Sequence, residues 1–220
     1  EPKLGMFHDR RLLIGMANSL LIGFAVASVA TLIGTTNAFL FERHSFRGRR
    51  ILFVLMVVPL VIPGVMLGIS ILVFASSIAN VIETATDLEI SALRPGMLLV
   101  ILGQTSFLTT ITTLIIAARL RKFDGAMEEA ALNLGASRGR VLATVTLPFL
   151  KPALIAGFLV SFLVSFENFN TTLMLVGSDA PLTITMFDRM VKGGSTPVLN
   201  AVSLFLIAGS GVLALISIMV

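Results

Sequence analysis

Residues 123–152 read FDGAMEEAALNLGASRGRVLATVTLPFLKP. Charged and small residues are too frequent here for a membrane span. Met127, Ala130, Ala131 and Leu134 nevertheless recur at helical spacing, which a plain loop would not show. Asp124 is placed to cap a helix whose first turn carries Glu128 and Glu129. Gly135 falls where a helix ends in a left-handed residue. Ser137 can cap a second short helix through about Val145, and Pro148 and Pro152 bracket the turn into the following segment. The reading is helix–Gly–helix, an elbow over 123–148. Ala130 and Ala131 let the helix backbone press into a groove on another protein, and Glu129 beside them can pair with a basic group there. On these residues alone, an amphipathic helix lying on a membrane surface reads equally well.

Working outward, the elbow stands between long apolar runs. A spanning helix needs roughly 20 mostly apolar residues, and five stretches qualify: 12–41, 51–77, 97–118, 152–176 and 199–220. Of the 220 residues, 56% are hydrophobic and only 13% charged, against about 25% charged in an ordinary soluble domain. Mean hydropathy is +1.00. The fold class is therefore an all-α, polytopic integral-membrane bundle, read as a single domain over 1–220 with the lipid bilayer as its solvent.

Basic residues in short loops give the orientation. Arg43, Arg47, Arg49 and Arg50 occupy 42–50, while Arg119, Arg121, Lys122, Arg138, Arg140 and Lys151 occupy 119–151. Both loops are expected to face the cytoplasm. The segment 78–94, with Glu83, Asp87 and Glu89 against Arg94, is expected outside, as is 177–198. The amino terminus is then outside and the carboxy terminus inside, so a further helix is expected before residue 1 and a short polar tail after residue 220.

Several features lie within the spans. The first repeats small residues every fourth position, at Gly15, Ser19, Gly23, Ala27, Thr31 and Thr35, a ridge that lets another helix approach closely. Pro59 and Pro63 are expected to bend the second. In the third, Thr105, Ser106, Thr109, Thr110, Thr112 and Thr113 suit bonds between helices or back to their own helix; Gln104 is the residue expected to see a pathway. In the fourth, Glu167 lies near the middle, followed by Asn168, Asn170, Thr171 and Thr172. A carboxylate at bilayer depth usually faces a cavity or a partner. Glu167, Asn170 and Thr171 share a face if the helix is continuous, which makes a polar stripe along a solute pathway. Pairing of Glu167 with a basic group of a partner chain is the alternative.

Other chemistries lack their residues. Cysteine, tryptophan and tyrosine are absent, and the 16 Phe must supply any interfacial aromatic belt. The two histidines, His8 and His44, are expected on opposite sides of the membrane, so no shared metal or catalytic pair is expected. There is no G-x-x-x-x-G-K-[ST] phosphate loop, H-E-x-x-H or G-x-S-x-G. The chain is read as non-catalytic, with no cofactor, metal or nucleic acid of its own.

The elbow resembles the EAA motif of ATP-binding-cassette importer permeases, the binding-protein-dependent inner-membrane components with a MetI-like fold. That motif runs Glu-Ala-Ala, three residues, Gly, nine residues, then Ile-x-Leu-Pro. Here Glu129-Ala130-Ala131, Gly135, Val145, Leu147 and Pro148 keep each spacing, with Val145 for Ile. The resemblance implies six helices in the full chain and a coupling helix that docks in a cleft of a separate ATPase, placing Glu128, Glu129, Ala130, Ala131, Leu134, Gly135, Ala136 and Ser137 at that interface. It implies two ATPase subunits that bind ATP and Mg, a second permease subunit, an extracytoplasmic solute-binding protein, and a place in the bacterial cytoplasmic (inner) membrane.

The FRGRR loop, the RLRKFD approach to the elbow and the MVKGGSTPVLNA stretch are similar to the spermidine/putrescine branch, which implies a polyamine or similar amine as solute and a distinct homologue as second permease. In that branch an acidic pair sits at the place of Glu167 and Asn168. Asn168 leaves half of that charge here, which suits a monovalent or zwitterionic solute. Zwitterionic amino-acid-like, phosphonate and ferric-iron importers of the same class are the alternatives. An ion-coupled secondary transporter is a more distant one, since it predicts an internal inverted repeat that the sequence lacks.

Overall fold

The computed structural model describes residues 9–86 and 90–219. His8, Asp87 and Glu89 therefore lie outside the described residues, as does most of the polar segment before the first span. The described residues form helices and turns, with no strand among them.

α1 (Arg10–Arg43) starts at Asp9, whose carboxylate accepts from the N–H groups of Arg11 and Leu12 at 3.1 and 3.3 Å. Its 34 residues make it about 51 Å long, so it outreaches the roughly 30 Å hydrocarbon layer. The small-residue ridge is buried at Gly15, Ser19, Gly23 and Ala27, but Thr31 and Thr35 are only half-buried. Four residues turn through about 400°, so a fourth-position ridge slips about 40° per step around the helix. Ala30, Gly34 and Ala38 take over the packed face.

The expected second span, 51–77, is two helices. α2 (Arg49–Val61) stops at Ile62 in extended conformation, and α3 (Gly64–Thr86) restarts after Pro63. Proline disfavours helical backbone in the residue before it, and Pro63 has no N–H to continue the ladder. Pro59, by contrast, is accommodated inside α2. At 23 residues, α3 is about 35 Å long, enough to cross alone; the 13-residue α2, at about 20 Å, is too short to do so. The helix also runs nine residues past its expected end at Ser77, well into 78–94. There Glu83 pairs with Arg94, which follows a short 3₁₀ turn at Ser91–Leu93.

α4 (Met97–Leu120) is the central helix, packed by α1 on one side and by α7 (Leu147–Phe166) on another. α5 (Ala126–Asn133) is the first helix of the elbow. The expected second elbow helix and turn are not separate elements. α6 (Arg138–Val141) passes through a π-helical turn at Leu142–Thr146 directly into α7. Pro148 and Pro152 remove two donors from the ladder, and a proline ring crowds the carbonyl four residues back. The widened turn just upstream relieves that crowding at Thr144.

The expected fourth span, 152–176, is likewise interrupted. α7 ends at Phe166, with Glu167 as its C-cap, and α8 (Asn170–Leu175) begins after a two-residue break. α9 (Leu182–Gly193) lies in the segment read from sequence as an outer loop, and α10 (Pro197–Met219) closes the described chain. Among the described residues, five stretches are long and apolar enough to cross a membrane: Arg10–Arg43, Gly64–Thr86, Met97–Leu120, Arg138–Phe166 and Pro197–Leu215.

One apolar cluster joins Ile22 and Val26 of α1 to Ala75 of α3, Leu99 and Leu108 of α4 and Leu175 of α8. A second, at the elbow end, joins Ala38, Ile116, Leu120 and Leu150. α3 lies close on α8 because a Cβ at Gly64 or Gly68 would stand 2.9 Å from Asn170 Cβ or Thr171 O, respectively. α9 is fastened to the start of α1: Arg189 pairs with Asp9 at 2.7 Å, and the Leu182 N–H donates to Ser19 Oγ at 2.9 Å.

Candidate functional site: an exposed elbow and a polar helix break

The elbow forms as its residues dictate. The Asp124 carboxylate accepts from the Ala126 N–H at 2.9 Å, and two acids occupy the first turn of α5. At the other end Gly135 is left-handed, with φ +87. The Ala136 N–H donates to Ala131 O at 3.1 Å and the Gly135 N–H to Leu132 O at 2.9 Å. These two bonds are the Schellman closure. Ser137 then caps α6, its hydroxyl accepting from the Arg140 N–H at 3.4 Å.

The two adjacent acids point in different directions. Glu129 is exposed, as are Ala130, Met127 and Leu134, the last 90% accessible. Ala131 and Ala136 are half-buried, and Gly135 and Ser137 are exposed. Glu128 instead turns inward. Its carboxylate accepts from Arg43 at 2.7 Å and from the Thr146 hydroxyl. The Arg43 hydrogen bond is the main reason its carboxyl is held below the ordinary value, with help from Thr146 and against the opposing effect of burial. Glu128 is thus engaged within its own chain, while Glu129 and Ala130 remain available to a partner.

The second polar feature is the break between α7 and α8. Because the helix stops at Phe166, the expected face of Glu167, Asn170 and Thr171 does not form. Glu167 and Asn170 are exposed, whereas Thr171 is buried against α3. The Glu167 carboxylate accepts from the Ser210 hydroxyl of α10. Asn168 supplies the start of α8, its Oδ1 accepting from the Thr172 N–H and hydroxyl at 3.2 and 3.0 Å.

Gln104, the residue expected to see a pathway, is 1% exposed within the described chain. Its Nε2 donates to Thr172 Oγ1 at 2.8 Å, and its Oε1 accepts from Ser165. Ser165, Gln104 and Thr172 form one buried chain of hydrogen bonds that continues to the half-buried Asn168 and ties α4 to both sides of the break. Other α4 hydroxyls do bond helices: Thr112 Oγ1 donates to Ala30 O at 2.7 Å, while Thr113 bonds back to Thr109 O at 2.7 Å.

Sequence reasoning missed Arg43, Thr146, Ser165 and Ser210. Arg43 is 85 residues from Glu128, and no local spacing marks such a pair. His44, half of the dismissed histidine pair, is an exposed C-cap of α1. The described residues hold no cluster of three or more His, Asp or Glu side chains able to bind a metal.

Over 213 residues the chain is 29% identical to the putrescine transport system permease protein PotI of Escherichia coli (strain K12), covering 96% of this chain and 73% of that protein. It is 26% identical over 212 residues to the spermidine/putrescine permease PotC of Haemophilus influenzae, covering 96% and 77%. A probable molybdenum permease of Haloferax volcanii is 29% identical over 182 residues, covering 83% and 66%. Among solved structures, a bacterial ABC transporter that imports alginate superposes with a TM-score of 0.77 at 15% identity, covering 97% of this chain and 79% of that one.

Residues 30–220 match the family described as binding-protein-dependent transport system inner membrane component. The chain belongs to that family: it is a multi-pass inner-membrane protein and the non-catalytic permease subunit of an ATP-binding-cassette importer.

Proposed function

We propose that this permease carries a small amine, of the polyamine type, and that α5 is its docking helix for the ATPase. The carrying observation is similarity along 96% of the chain to permeases named for putrescine and spermidine. The exposed Glu167 carboxylate at a helix break supports a cationic solute. On this reading the chain, 1–220, is one permease domain. Loops 42–50 and 119–151 face the cytoplasm, where two ATPase subunits bind ATP and Mg. A binding protein delivers solute to the opposite side, and a second permease, a distinct homologue, completes the pathway. Closure of the ATPases moves the elbows and switches the side of access.

Asn168 favours a second reading. Its side chain accepts from the Thr172 N–H in the first turn of α8 and brings no charge, so a solute with one positive centre, such as γ-aminobutyrate, needs only Glu167. Relatives with different solutes reach the same identity, so the solute is decided by experiment. The importer, assembled with its binding protein in nanodiscs, is assayed for ATPase stimulation by putrescine, spermidine, γ-aminobutyrate, an aminophosphonate and ferric iron. Stimulation by diamines supports the polyamine reading. Stimulation by the zwitterion alone moves the assignment to the second reading, and stimulation by iron or the phosphonate alone overturns both.

A further inference from the structure

We infer that Arg43 is a positioning residue that clamps the elbow to the end of α1 and so brings elbow movement into α1 as well as into α7, which continues from the elbow. This rests on the docking role proposed for α5 and names what that helix pulls on. Arg43 makes three contacts, and the groups around it are held in turn. Its guanidinium pairs with Glu128 at 2.7 Å. The same guanidinium lies over the Phe39 ring at 5.1 Å and the Phe123 ring at 5.6 Å, so it is stacked as well as paired. Thr146, fully buried in the π turn, gives its hydroxyl to the other oxygen of the Glu128 carboxylate. The neighbouring Glu42 pairs with Arg121 at 2.8 Å, so consecutive residues of α1 hold both sides of the turn that leads into α5. Behind that turn Phe123 meets Phe149 edge-on at 5.1 Å, and Arg119 lies over Phe149 at 4.3 Å.

The arrangement divides the elbow into two faces. The outward face, with Glu129, Ala130 and Leu134, is free for a partner; the inward face is held through one carboxylate. A lone surface ion pair is worth little, about 0–1 kcal/mol. This one is set in a fork of rings and a buried hydroxyl, where a planar guanidinium acts as more than a point charge. Force on α5 therefore reaches the end of α1. From there it passes along a helix whose Gly34 packs on Thr112 of α4 and whose Gly23 packs on the Phe162 ring of α7. Lysine at position 43 would keep the charge but lose the planar group between Phe39 and Phe123.

The test uses the full importer with its binding protein, in proteoliposomes, and reads solute taken up per ATP hydrolysed. Arg43→Glu and Glu128→Arg are each expected to lower that ratio by at least about fivefold, the lower end of ordinary coupling energies. The double exchange is expected to restore most of it. Unchanged ratios in the single variants overturn the clamp, as does a double variant no better than either single one. Should the charge reversals fail to assemble, Arg43→Lys and Thr146→Val ask the same question more gently. Each is then expected to lower the ratio, and no change in either overturns the clamp. Failure of the docking role is separately visible: ATPase that stays bound to the Glu129→Arg complex defeats docking, whatever the outcome at Arg43.

Discussion

A Cβ on Gly34 of α1 would lie 2.2 Å from Thr112 Oγ1 of α4 and 2.8 Å from Thr112 Cβ. The same hydroxyl donates across the interface to Ala30 O at 2.7 Å. Close approach and hydrogen bond are one feature: only a glycine at 34 lets α4 come near enough for Thr112 to reach a carbonyl on α1.

Gly34→Val should consequently destabilise the bundle more than Thr112→Val. The former forces two backbones apart, an overpacking cost of about 1–3 kcal/mol or more; the latter removes one hydrogen bond worth about 0.5–1.5 kcal/mol. Thermal unfolding in detergent, followed by helical circular dichroism, is expected to rank Tm as parent, Thr112→Val, Gly34→Val.

Gln104→Leu should lower stability without changing solute preference. It leaves the Ser165 hydroxyl without its acceptor, at about 1–3 kcal/mol, and takes from the Thr172 hydroxyl one of its two partners, the other being Asn168. Tm and the ranking of solutes in the ATPase assay check this together. A changed ranking with unchanged Tm would put Gln104 on the pathway.

Glu167→Gln should weaken uptake of a cationic solute more than that of a neutral analogue, since it deletes charge but retains an acceptor for Ser210. Competition assays with paired solutes measure the difference. An equal loss for both would assign Glu167 to holding α10 against the helix break.

The inward contact of the elbow should fail on acidification. The Glu128 carboxyl is held below its ordinary value of 4.5 by Arg43. A group whose folded value is depressed adds stability above its unfolded value and loses it as pH falls through the folded one. Attachment of α5 should therefore be intact from neutrality down to about pH 4.5 and loosen below it. The chain has no cysteine, so Met127→Cys carrying a fluorophore reports this site alone. Its signal should change only below about that pH, and Glu128→Gln should abolish the change.

The number of crossings and the local shape of the elbow were legible because each is set by neighbouring residues. Runs of apolar side chains give the first; Asp124, Gly135 and Ser137 at fixed spacings give the second. The breaks were not. The polar tail of the fourth run was averaged into its apolar surroundings, and nothing local says that the Asn168 side chain will restart a helix by accepting from Thr172. In the second run, Pro59 and Pro63 carry the same local signal, yet only Pro63 ends a helix. Burial of Gln104 was invisible for another reason. Its partners, Ser165 and Thr172, are 61 and 68 residues away, and an amide suits a pathway or a core equally well. α9 escaped because its 12 residues are too few for a span, and its anchors, Ser19 and Asp9, lie at the opposite end of the chain.

The most direct test of the account is retention of the ATPase by the importer complex when Glu129, the outward acid of α5, is reversed. Glu129→Arg is reconstituted beside the parent and Glu129→Gln, and both bound ATPase and solute uptake are measured. The account predicts a membrane-inserted permease that loses its ATPase and its uptake with Glu129→Arg and keeps a substantial part of both with Glu129→Gln. Normal uptake by the Glu129→Arg complex would contradict it.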